Sequence, residues 1–404
     1  MTLTKSDPLD GPLRIGFRVG TFPKLSETFI LDQIEGMIDR GHSVSILANE
    51  RPGPSENAVA PDGLKHLSYV SPANPLLAAL QNKLPYRMRR ALTVAKEREL
   101  CASNDVVVCN FGWFGAQVFD SARSLQSPAR ILTIFHGDDM SRSLLNNGTN
   151  QYTDLISTGQ PLLPVSDFWS SRLQEFGAST DQIFVHRMGV KTGNFQFSPR
   201  ARSANDPFKL VTVCRFVEKK GLEFAIRGFA RALAKAPDQA IHFELIGSGP
   251  LEDSLKALVQ ELRIAEFVTF SGALPHKEVA DALNRSDALI LPSVVSSDGD
   301  MEGIPLSLME AMASGVCVIS TYHSGIPELI ENGVSGLLAE ERNPDQIADH
   351  ILSLAQNPER AATLAENARS VIEEKFNSSK LNDQLEELCR TVLAGSAAGA
   401  QSAN

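Results

Sequence analysis

The stretch Asp300-Met-Glu-Gly-Ile-Pro-Leu-Ser-Leu-Met-Glu-Ala-Met312 combines two glutamates with a predicted helix start. Proline is favoured at the first position of a helix, where its missing N–H is not needed, and Pro305 is followed by good helix formers. Glu302 is therefore expected in the loop just before a helix N-terminus. Glu310 is expected about two turns inside that helix, on roughly the same side.

This helix start has the properties of a binding site for a polar ligand. A helix N-terminus offers unpaired backbone N–H groups and the positive end of the helix dipole. Glu302 could hold sugar hydroxyls there, and Glu310 could reach a second polyol such as a ribose. Backbone assistance is expected from Gly303, Ile304, Pro305, Leu306 and Ser307. The alternative, for two glutamates taken alone, is a helix-start acid and a solvated helix residue.

Length and composition indicate an ordinary globular chain of two domains. The 404 residues exceed the usual size of one domain, and 43% of them are hydrophobic. The formal net charge of −10 argues against nucleic acid as the main partner. The five cysteines form no Cys-x-x-Cys pair, so neither a disulfide framework nor a structural zinc site is indicated. The first residues lack an apolar signal-peptide core, and no apolar run is long enough to cross a bilayer, so we expect a cytoplasmic protein.

Strand-like apolar runs alternate with helical patterns over most of the chain. That alternation predicts an α/β fold with parallel sheets and crossover helices. Strands are predicted at residues 13–19, 43–48, 105–109, 130–135, 162–165, 183–186, 209–214, 241–246, 267–270, 288–291 and 316–320. Helices are predicted at residues 27–40, 87–101, 115–125, 168–176, 221–235, 251–262, 277–284, 305–313, 344–356, 358–376 and 379–393.

A polar, irregular segment divides the alternation into two series and predicts an interdomain linker at residues 199–207. The other predicted parts are a flexible N-terminus 1–12, a Rossmann-like domain 13–198, a second Rossmann-like domain 208–376, a final helix 377–393 and a disordered tail 394–404. Ligands bind beyond the carboxyl ends of the strands in open parallel sheets. The cleft between two such domains is therefore the expected site.

Cations and glycines follow the first strands of the second series. Arg215 follows the strand at 209–214, and Lys220 precedes the next helix. Both can converge on a diphosphate, Arg by its planar fork and Lys as a point charge, although solvated loop cations are the alternative. Gly247 and Gly249 lie between a strand and a helix and permit a tight turn near a nucleotide. Many such turns contain glycine without binding a ligand.

Together these residues resemble the signature of glycosyltransferase family 4. Members of that family are retaining enzymes of GT-B architecture, in which two Rossmann-like domains face each other across a cleft. The resemblance rests on the spacing of Glu302 and Glu310 and on the pair Arg215 and Lys220. The phrase Phe22-Pro-x-Leu-Ser-Glu-Thr-Phe29 particularly resembles bacterial exopolysaccharide members, including colanic-acid-type enzymes. The resemblance also implies that the final helix crosses back to the first domain.

For the second domain, the resemblance implies the roles of four charged residues. Glu302 fixes the donor sugar and is not assigned as a covalent nucleophile. Glu310 holds the ribose of the nucleotide. Arg215 and Lys220 stabilise the leaving diphosphate as charge develops on it, which is the usual dominant electrostatic contribution.

The resemblance also assigns roles to residues that carry little chemistry on their own. Gly20 of the first domain comes close to the donor diphosphate, and Gly247 and Gly249 border the nucleotide. His136, at the end of a first-domain strand, touches the donor sugar near the reacting carbon. Asp138 is a further candidate for binding the acceptor or the sugar.

The implied function is transfer of a hexose, with retention of configuration, from a nucleotide-diphosphate sugar to a hydroxyl of a glycan or lipid-linked oligosaccharide. UDP-glucose or UDP-galactose is the expected donor. The leaving phosphate would accept the proton of the acceptor, and neither a metal nor another cofactor is expected. Two alternatives are a nucleotide-sugar epimerase on the same scaffold and a non-catalytic sugar-nucleotide-binding subunit of a polysaccharide assembly complex.

The segment from Leu80 to Leu100 concentrates lysine and arginine in an otherwise acidic chain, with apolar residues between them. Such a segment could lie on the anionic inner face of the plasma membrane, where lipid-linked acceptors would be found. An ordinary solvated helix face is the alternative.

Overall fold

The chain divides into two α/β units, each built on its own parallel sheet. The computed structural model describes residues 11–24, 27–53, 59–125, 129–198, 202–203 and 206–401. One unit comprises Met1–Val165, Trp169–Arg187 and Ser378–Asn404, and the other comprises Ser166–Phe168 and Met188–Asn377. Most of the predicted N-terminal segment 1–12 and most of the predicted linker 199–207 lie outside the described residues.

The first unit is built on a six-stranded parallel sheet with the strand order β3-β2-β1-β4-β5-β6. Its strands are β1 (Arg14–Thr21), β2 (Ser43–Glu50), β3 (His66–Tyr69), β4 (Val106–Asn110), β5 (Arg130–Phe135) and β6 (Leu162–Pro164). The helices of this part of the chain are α1 (Thr28–Asp39), α2 (Pro75–Lys83), α3 (Tyr86–Ser103), α4 (Gly112–Ala122), α5 (Arg142–Asn147), α6 (Thr153–Ser157) and α7 (Asp167–Glu175). Every residue of β4 is buried, as is typical of a parallel strand covered on both faces.

The second unit repeats this architecture, with the strand order β12-β11-β10-β7-β8-β9. Its strands are β7 (Phe208–Val213), β8 (Ile241–Ile246), β9 (Val268–Gly272), β10 (Ala288–Ile290), β11 (Cys317–Thr321) and β12 (Leu337–Ala339). Its helices are α8 (Leu222–Lys235), α9 (Glu252–Glu261), α10 (His276–Asn284), α11 (Leu306–Ser314), α12 (Ile326–Leu329), α13 (Pro344–Gln356) and α14 (Pro358–Lys375). The predicted α/β fold with parallel sheets is confirmed.

Each sheet has a central point at which the order of its strands reverses. In the first unit the reversal lies between β1 and β4, and in the second it lies between β7 and β10. The loops that leave two such strands diverge to opposite sides and open a crevice at their carboxyl ends, where ligands of this class of fold bind. In the second unit, a ligand is therefore expected to bind at the loops after β7 and β10.

One predicted strand, residues 183–186, does not form in the structure. The N–H of Phe184 donates to the carbonyl oxygen of Leu162, and the N–H of His186 donates to that of Pro164. The donor–acceptor distance is 2.9 Å in each case. Pro164 has no N–H to donate in return, so the ladder between the two segments stops there. Only an isolated bridge between Leu162 and Ile183 remains.

The ends of the two units differ from the predicted domain bounds. The units divide between Arg187 and Met188 rather than near residue 198. Residues after Met188 belong to the second unit because Val190 N donates to Phe376 O over 2.9 Å. The tail predicted to be disordered from residue 394 continues a helix as far as Gln401, in keeping with its alanine content.

The final helix α15 (Ser378–Gln401) belongs to the first unit and packs on α1. Asn382 Nδ2 donates to Asp32 O over 3.0 Å. A Cβ on Gly36 would lie 2.0 Å from that same nitrogen, so a side chain at this position would force the two helices apart. The contact explains how a glycine inside α1 is tolerated despite its low helix propensity.

A buried ion pair ties α3 to the first sheet. Arg18 of β1 and Glu97 of α3 are fully buried, and Arg18 Nε lies 3.2 Å from Glu97 Oε1. Arg90 Nη1 and Ser121 Oγ each donate to the other oxygen of Glu97 over 2.6 Å. Both oxygens of the buried carboxylate are therefore paired, which is the condition for burying such a charge.

Removal of Glu97 should destabilise the first unit, because Arg18 would then be a buried charge without its carboxylate. We expect Glu97→Ala to lower the free energy of unfolding by about 3–5 kcal/mol. Urea unfolding followed by tryptophan fluorescence measures this unit selectively, since both tryptophans of the chain, Trp113 and Trp169, belong to it. Glu99→Ala, on the exposed side of the same helix, is the control. Equal midpoints for the two variants would contradict the assignment.

Candidate active site

The loops that follow β7 and β10 meet at the centre of the second sheet. Val294 N donates to Lys219 O over 2.9 Å. Gly221 lies beside this contact with a left-handed φ of +65°, and a Cβ on it would lie 1.9 Å from the carbonyl oxygen of Pro292. Only glycine fits, because both the backbone conformation and the approach of a backbone oxygen exclude a side chain.

Glu302 and Lys220 form a buried ion pair where these two loops meet. Lys220 Nζ lies 2.9 Å from Glu302 Oε1, and Lys219 Nζ lies 3.8 Å from the same oxygen. Lys219 Nζ also lies 3.0 Å from Asp300 Oδ1. Glu302 is only 6% exposed. A carboxylate so deeply buried requires opposite charges nearby, and the two lysines supply them.

The electrostatic balance keeps Glu302 negatively charged. Burial alone would raise the pKa of Glu302, but the positive charges of Lys220 and Lys219 outweigh burial and hold the pKa below its ordinary value. The side chain is therefore an acceptor of hydrogen bonds at neutral pH and not a donor. Such a group is suited to fixing hydroxyl groups of a polyol.

Arg215 lies in the same β7–α8 connection as Lys220, but its side chain is exposed. It forms no ion pair with any residue in the described part of the chain. An exposed guanidinium in this position is available to an anion, whereas Lys219 and Lys220 already face carboxylates.

Gly247 and Gly249 pack against the residues on either side of Arg215. A Cβ on Gly247 would lie 1.8 Å from Cys214 O, and a Cβ on Gly249 would lie 2.6 Å from Phe216 O. Both glycines are thus required by the close approach of two backbone segments. The prediction that they border a nucleotide remains a prediction, but they do lie beside the cation predicted to bind its diphosphate.

Helix α11 begins at Leu306, with Pro305 as the residue before it. Ile304 and Pro305 are buried, whereas Gly303, Leu306 and Ser307 are half-buried. The first N–H groups of the helix have no partner within it, as at any helix start. Glu302 therefore precedes a helix N-terminus, as the sequence predicted.

Glu310 lies closer to the helix start than the sequence predicted. It is the fifth residue of α11, just over one turn from Leu306 rather than about two. Its side chain is 15% exposed, and its Oε1 lies 3.8 Å from His276 Nε2 of α10. The surroundings of Glu310 are therefore set by α10 as well as by its own helix.

Three further residues of this site were not singled out in the sequence. Lys219 contacts two carboxylates, His323 contacts the backbone of Glu302, and Glu341 contacts His323. The signal for Lys219 was its position next to Lys220. The signal for His323 was its place just after a predicted strand, at the edge where ligands bind.

His136 of the first unit is a buried, neutral histidine. Burial and the nearby His186 lower the pKa of His136 to about 3. Its Nε2 lies 3.3 Å from Asn110 Oδ1, which can only accept, so Nε2 carries the hydrogen and Nδ1 is an acceptor. Phe29 and Phe111 flank the imidazole, with ring centroids 5.0 and 4.6 Å away.

The loop after β5 is held by a carboxylate that is not among the predicted site residues. Asp139 is fully buried, and its two oxygens accept from His136 N over 2.8 Å and from Gly112 N over 2.7 Å. Burial raises the pKa of Asp139 to about 7 despite these bonds. Phe111, next to Gly112, has a φ of +85°, a conformation that costs a non-glycine residue energy and needs such support.

The remaining predicted site residues of the first unit are Asp138 and Gly20. Asp138 is partly exposed, and its Oδ1 lies 2.9 Å from Arg142 Nη2, one helical turn away. Gly20 is the last residue but one of β1, and a Cβ on it would meet only the ring of Phe114, at 3.7 Å or more. Neither backbone conformation nor packing among the described residues therefore demands a glycine at position 20.

The acidic residues near the site have partners of their own. Asp298 Oδ1 accepts from Asp300 N over 3.2 Å, and Asp300 also pairs with Lys219. Within the part of the chain that the structure describes, no group of three or more His, Cys, Asp or Glu side chains is placed to hold a metal ion.

Comparison with known sequences places this chain among glycosyltransferases. The family model of the glycosyl transferases group 1 matches residues 195–371. The colanic acid biosynthesis glycosyltransferase WcaL of Escherichia coli (strain K12) is 34% identical, over 94% of this chain and all of that protein. The amylovoran biosynthesis glycosyltransferase AmsK of Erwinia amylovora is 32% identical, over 93% of this chain and 99% of that protein.

More distant proteins are similar to this chain in sequence or in fold. A GDP-mannose-dependent phosphatidylinositol monomannoside mannosyltransferase of Mycobacterium tuberculosis is 24% identical over 72% of this chain and 78% of its own length. Sucrose-phosphate synthase of Thermosynechococcus elongatus superposes with a TM-score of 0.75, at 19% identity, over 95% of this chain and all of that one. Anabaena Alr3699/HepE, solved with UDP, superposes with a TM-score of 0.71, at 17% identity, over 94% of this chain and all of that one.

The sequence resemblance to family 4 and the two Rossmann-like sheets agree with these similarities. The chain therefore belongs to the group 1 glycosyltransferases, the family-4 type, together with the colanic acid and amylovoran enzymes.

Proposed function

We propose that this enzyme transfers a hexose from a nucleotide-diphosphate sugar, with retention of configuration, to a hydroxyl of a glycan or lipid-linked oligosaccharide of an exopolysaccharide. The observation that carries the proposal is the ionised, buried Glu302 between two lysines, beside a helix N-terminus. Such a carboxylate can orient sugar hydroxyls, while the helix start and the cations can face the negatively charged diphosphate.

In this proposal the diphosphate interacts with cations of the β7–α8 connection. Exposed Arg215 binds the diphosphate with its planar guanidinium. Lys220 lies 2.9 Å from Glu302 and so connects the sugar-binding carboxylate to the phosphate-binding end of the site. As the bond to the sugar breaks, negative charge grows on the leaving phosphate, and fixed positive charges stabilise that state more than the ground state. The same phosphate accepts the proton of the attacking hydroxyl, and no metal ion is required.

The proposed roles of the first-unit residues follow from their local chemistry. Gly20 lacks a packing reason to be glycine, which favours a position beside the diphosphate. The neutral His136 keeps Nδ1 as an acceptor and so can bind a sugar hydroxyl. Asp138 is the candidate for an acceptor hydroxyl. In the second unit, Glu310 is proposed to hold the ribose.

The names of related proteins suggest which compounds to test. HepE was solved with UDP, which supports a UDP-hexose such as UDP-glucose or UDP-galactose as the donor. The mycobacterial relative is named for GDP-mannose, so that donor is the main competitor. The names of the E. coli and Erwinia relatives support an acceptor in exopolysaccharide biosynthesis.

Loss of either Glu302 or Lys220 should abolish most of the sugar transfer. We expect Glu302→Ala and Lys220→Ala each to lower kcat/KM by about 100-fold or more, the usual effect of removing one preorganised electrostatic group. The measurement is mass-resolved turnover of UDP-glucose, UDP-galactose and GDP-mannose, with NMR assignment of the product anomer. Lys235→Ala, an exposed lysine at the far end of α8, is the matched control.

The outcomes of this assay separate the candidate functions. Wild-type activity in both variants would refute the site assignment, and an inverted anomer would refute retention. A monomeric epimerised sugar formed without acceptor would indicate the epimerase. Binding of nucleotide sugars without any turnover would indicate a non-catalytic subunit.

The pH dependence of transfer should report the lysines around Glu302. If ionised Glu302 is needed, activity is present above its folded pKa and falls as the pH drops through that value. Lys219 helps to hold this pKa low. In Lys219→Met the acid limb of the kcat/KM profile should therefore move to higher pH. A steady-state profile measures this, with Lys235→Met as control, and an unmoved limb would show that Glu302 is not the titrating group.

We also propose that α2 and the start of α3 rest on an anionic membrane, at the cytoplasmic face where lipid-linked acceptors would be met. Five of the large apolar side chains on these helices are exposed, namely Leu76, Leu77, Leu80, Met88 and Leu92. Lys83, Arg87 and Arg89 are exposed on the same helices. Apolar and basic groups together favour binding at an anionic interface. Among the described residues, no helix is long and apolar enough to span a bilayer.

Only some of the basic residues between Leu80 and Leu100 are available to lipid. Arg90 pairs with Glu97, Lys96 donates to Tyr69 O, and Arg98 Nε donates to Ser121 O. These three residues therefore stabilise the fold of the first unit. The proposed membrane surface is confined to α2 and the start of α3.

Vesicle binding should depend on the three exposed cations of this surface. Each basic residue near an anionic membrane contributes about 1 kcal/mol, so replacing Lys83, Arg87 and Arg89 by alanine should weaken binding by roughly 100-fold. Co-sedimentation with phosphatidylcholine vesicles, with and without phosphatidylglycerol, measures this. The control variant replaces three exposed cations of the second unit, Arg231, Lys235 and Lys256. Equal binding by both triple variants would argue for a solvated helix face.

A further inference from the structure

The segment that carries Glu302 has no regular secondary structure of its own. Strand β10 ends at Ile290 and helix α11 begins at Leu306, and the residues between them form neither helix nor strand. A connection of this length in a compact unit must be held by its side-chain and backbone contacts, and such connections are usually functional. The position of Glu302 therefore depends on what fixes the ends of this segment.

One carboxylate is connected to both ends, to the first directly and to the second through a histidine. Glu341, just after β12, accepts from Val295 N through Oε2 over 3.0 Å, near the beginning of the segment. Its Oε1 lies 2.6 Å from His323 Nδ1. His323 Nε2 in turn lies 3.1 Å from Glu302 N, near the end of the segment. The side chain of Glu341 thus links residues 295 and 302 through a single imidazole.

The hydrogen bonds define the state of that imidazole. A backbone N–H can only donate, so His323 Nε2 must be the acceptor for Glu302 N–H. The hydrogen of neutral His323 is therefore on Nδ1, where it is donated to Glu341. A carboxylate that fixes the tautomer and orientation of a histidine in this way is a common supporting arrangement in enzyme sites.

Both sides of the Glu302 peptide are held by the loop after β11. His323 Nε2 accepts from its N–H, and Ser324 Oγ donates to its carbonyl oxygen over 2.7 Å. These contacts involve the backbone of Glu302 and leave its carboxylate to Lys220 and Lys219. They fix the direction of the side chain without occupying the atoms that would bind a sugar.

We propose that Glu341 and His323 are positioning residues that set the direction of the Glu302 carboxylate for the donor sugar. The inference rests on the proposed function, because Glu302 must act on the sugar for its direction to matter. Neither residue is assigned contact with the substrate. Their effect should appear in sugar transfer and be absent from binding of the nucleotide part, since a displacement of about 1 Å can cost about 100-fold in rate.

Two substitutions of His323 separate positioning from general stability. In His323→Gln the amide oxygen can reach the place of Nε2 and accept from Glu302 N–H, although the donor to Glu341 is lost. In His323→Asn the shorter amide can donate to Glu341, but nothing reaches Glu302 N–H. Each variant loses one of two hydrogen bonds, so their losses of stability should be alike.

The test compares transfer, UDP affinity and melting temperature in the full-length enzyme, with the donor that the wild type uses. We expect His323→Gln to stay within about tenfold of wild-type kcat/KM and His323→Asn to lose about 100-fold. Binding of UDP alone should change less than threefold in both. Glu341→Ala loses the bond to His323 that His323→Gln also loses, and the bond to Val295 N besides, so we expect it to lose more transfer than His323→Gln, with its exposed neighbour Glu340→Ala as the control.

The possible results overturn different statements. A wild-type enzyme that consumes no nucleotide sugar overturns the proposed function and the positioning role with it. An active wild type with equal kcat/KM in His323→Gln and His323→Asn overturns the positioning role alone. Equal weakening of UDP binding and of transfer in His323→Asn also overturns it, because the contact would then serve the whole site and not the sugar.

Discussion

A negative charge buried among the loops of the second sheet is the constraint on which the proposed site depends. Glu302 can be buried and ionised only because Lys219 and Lys220 come from the neighbouring loop. That approach requires Gly221, since a side chain there would collide with the backbone at Pro292. The topology places both loops at the reversal of strand order. The order of the strands thus places the two loops side by side, and Gly221 lets them approach closely. That approach in turn allows the ion pair to form.

The parts of the fold that the sequence predicted well are those governed by local patterns. Strand β5 and helix α13 lie at their predicted residues, because an apolar run or an amphipathic period with a proline start is a local signal. The predicted strand at 183–186 was wrong because its partner contains Pro164, which the pattern of one segment cannot reveal. The predicted disordered tail is helical as far as Gln401, because alanine-rich sequence is compatible with both disorder and helix.

The candidate site was predictable only in part, for a similar reason. Lys220 and Glu302 are recognisable from their residue types beside a strand end and a helix start, and the structure brings them together. Glu341 and His323 are separated from Glu302 along the chain, and their importance exists only through hydrogen bonds. Asp139 likewise supports His136 through backbone contacts that no local pattern encodes. Sequence patterns that describe ligand chemistry do not identify residues whose role is to hold other residues in place.

The contact between Gly221 and Pro292 has a consequence for how this sequence can evolve. The obstacle to a side chain at position 221 is a backbone oxygen, which every amino acid possesses. No substitution at position 292 can therefore compensate for the loss of the glycine. The contact of His323 with Glu341 joins two side chains and can be exchanged for another donor and acceptor pair, provided that the new residue at position 323 still accepts from Glu302 N–H. In homologues we expect the glycine to be fixed and the histidine and glutamate to covary.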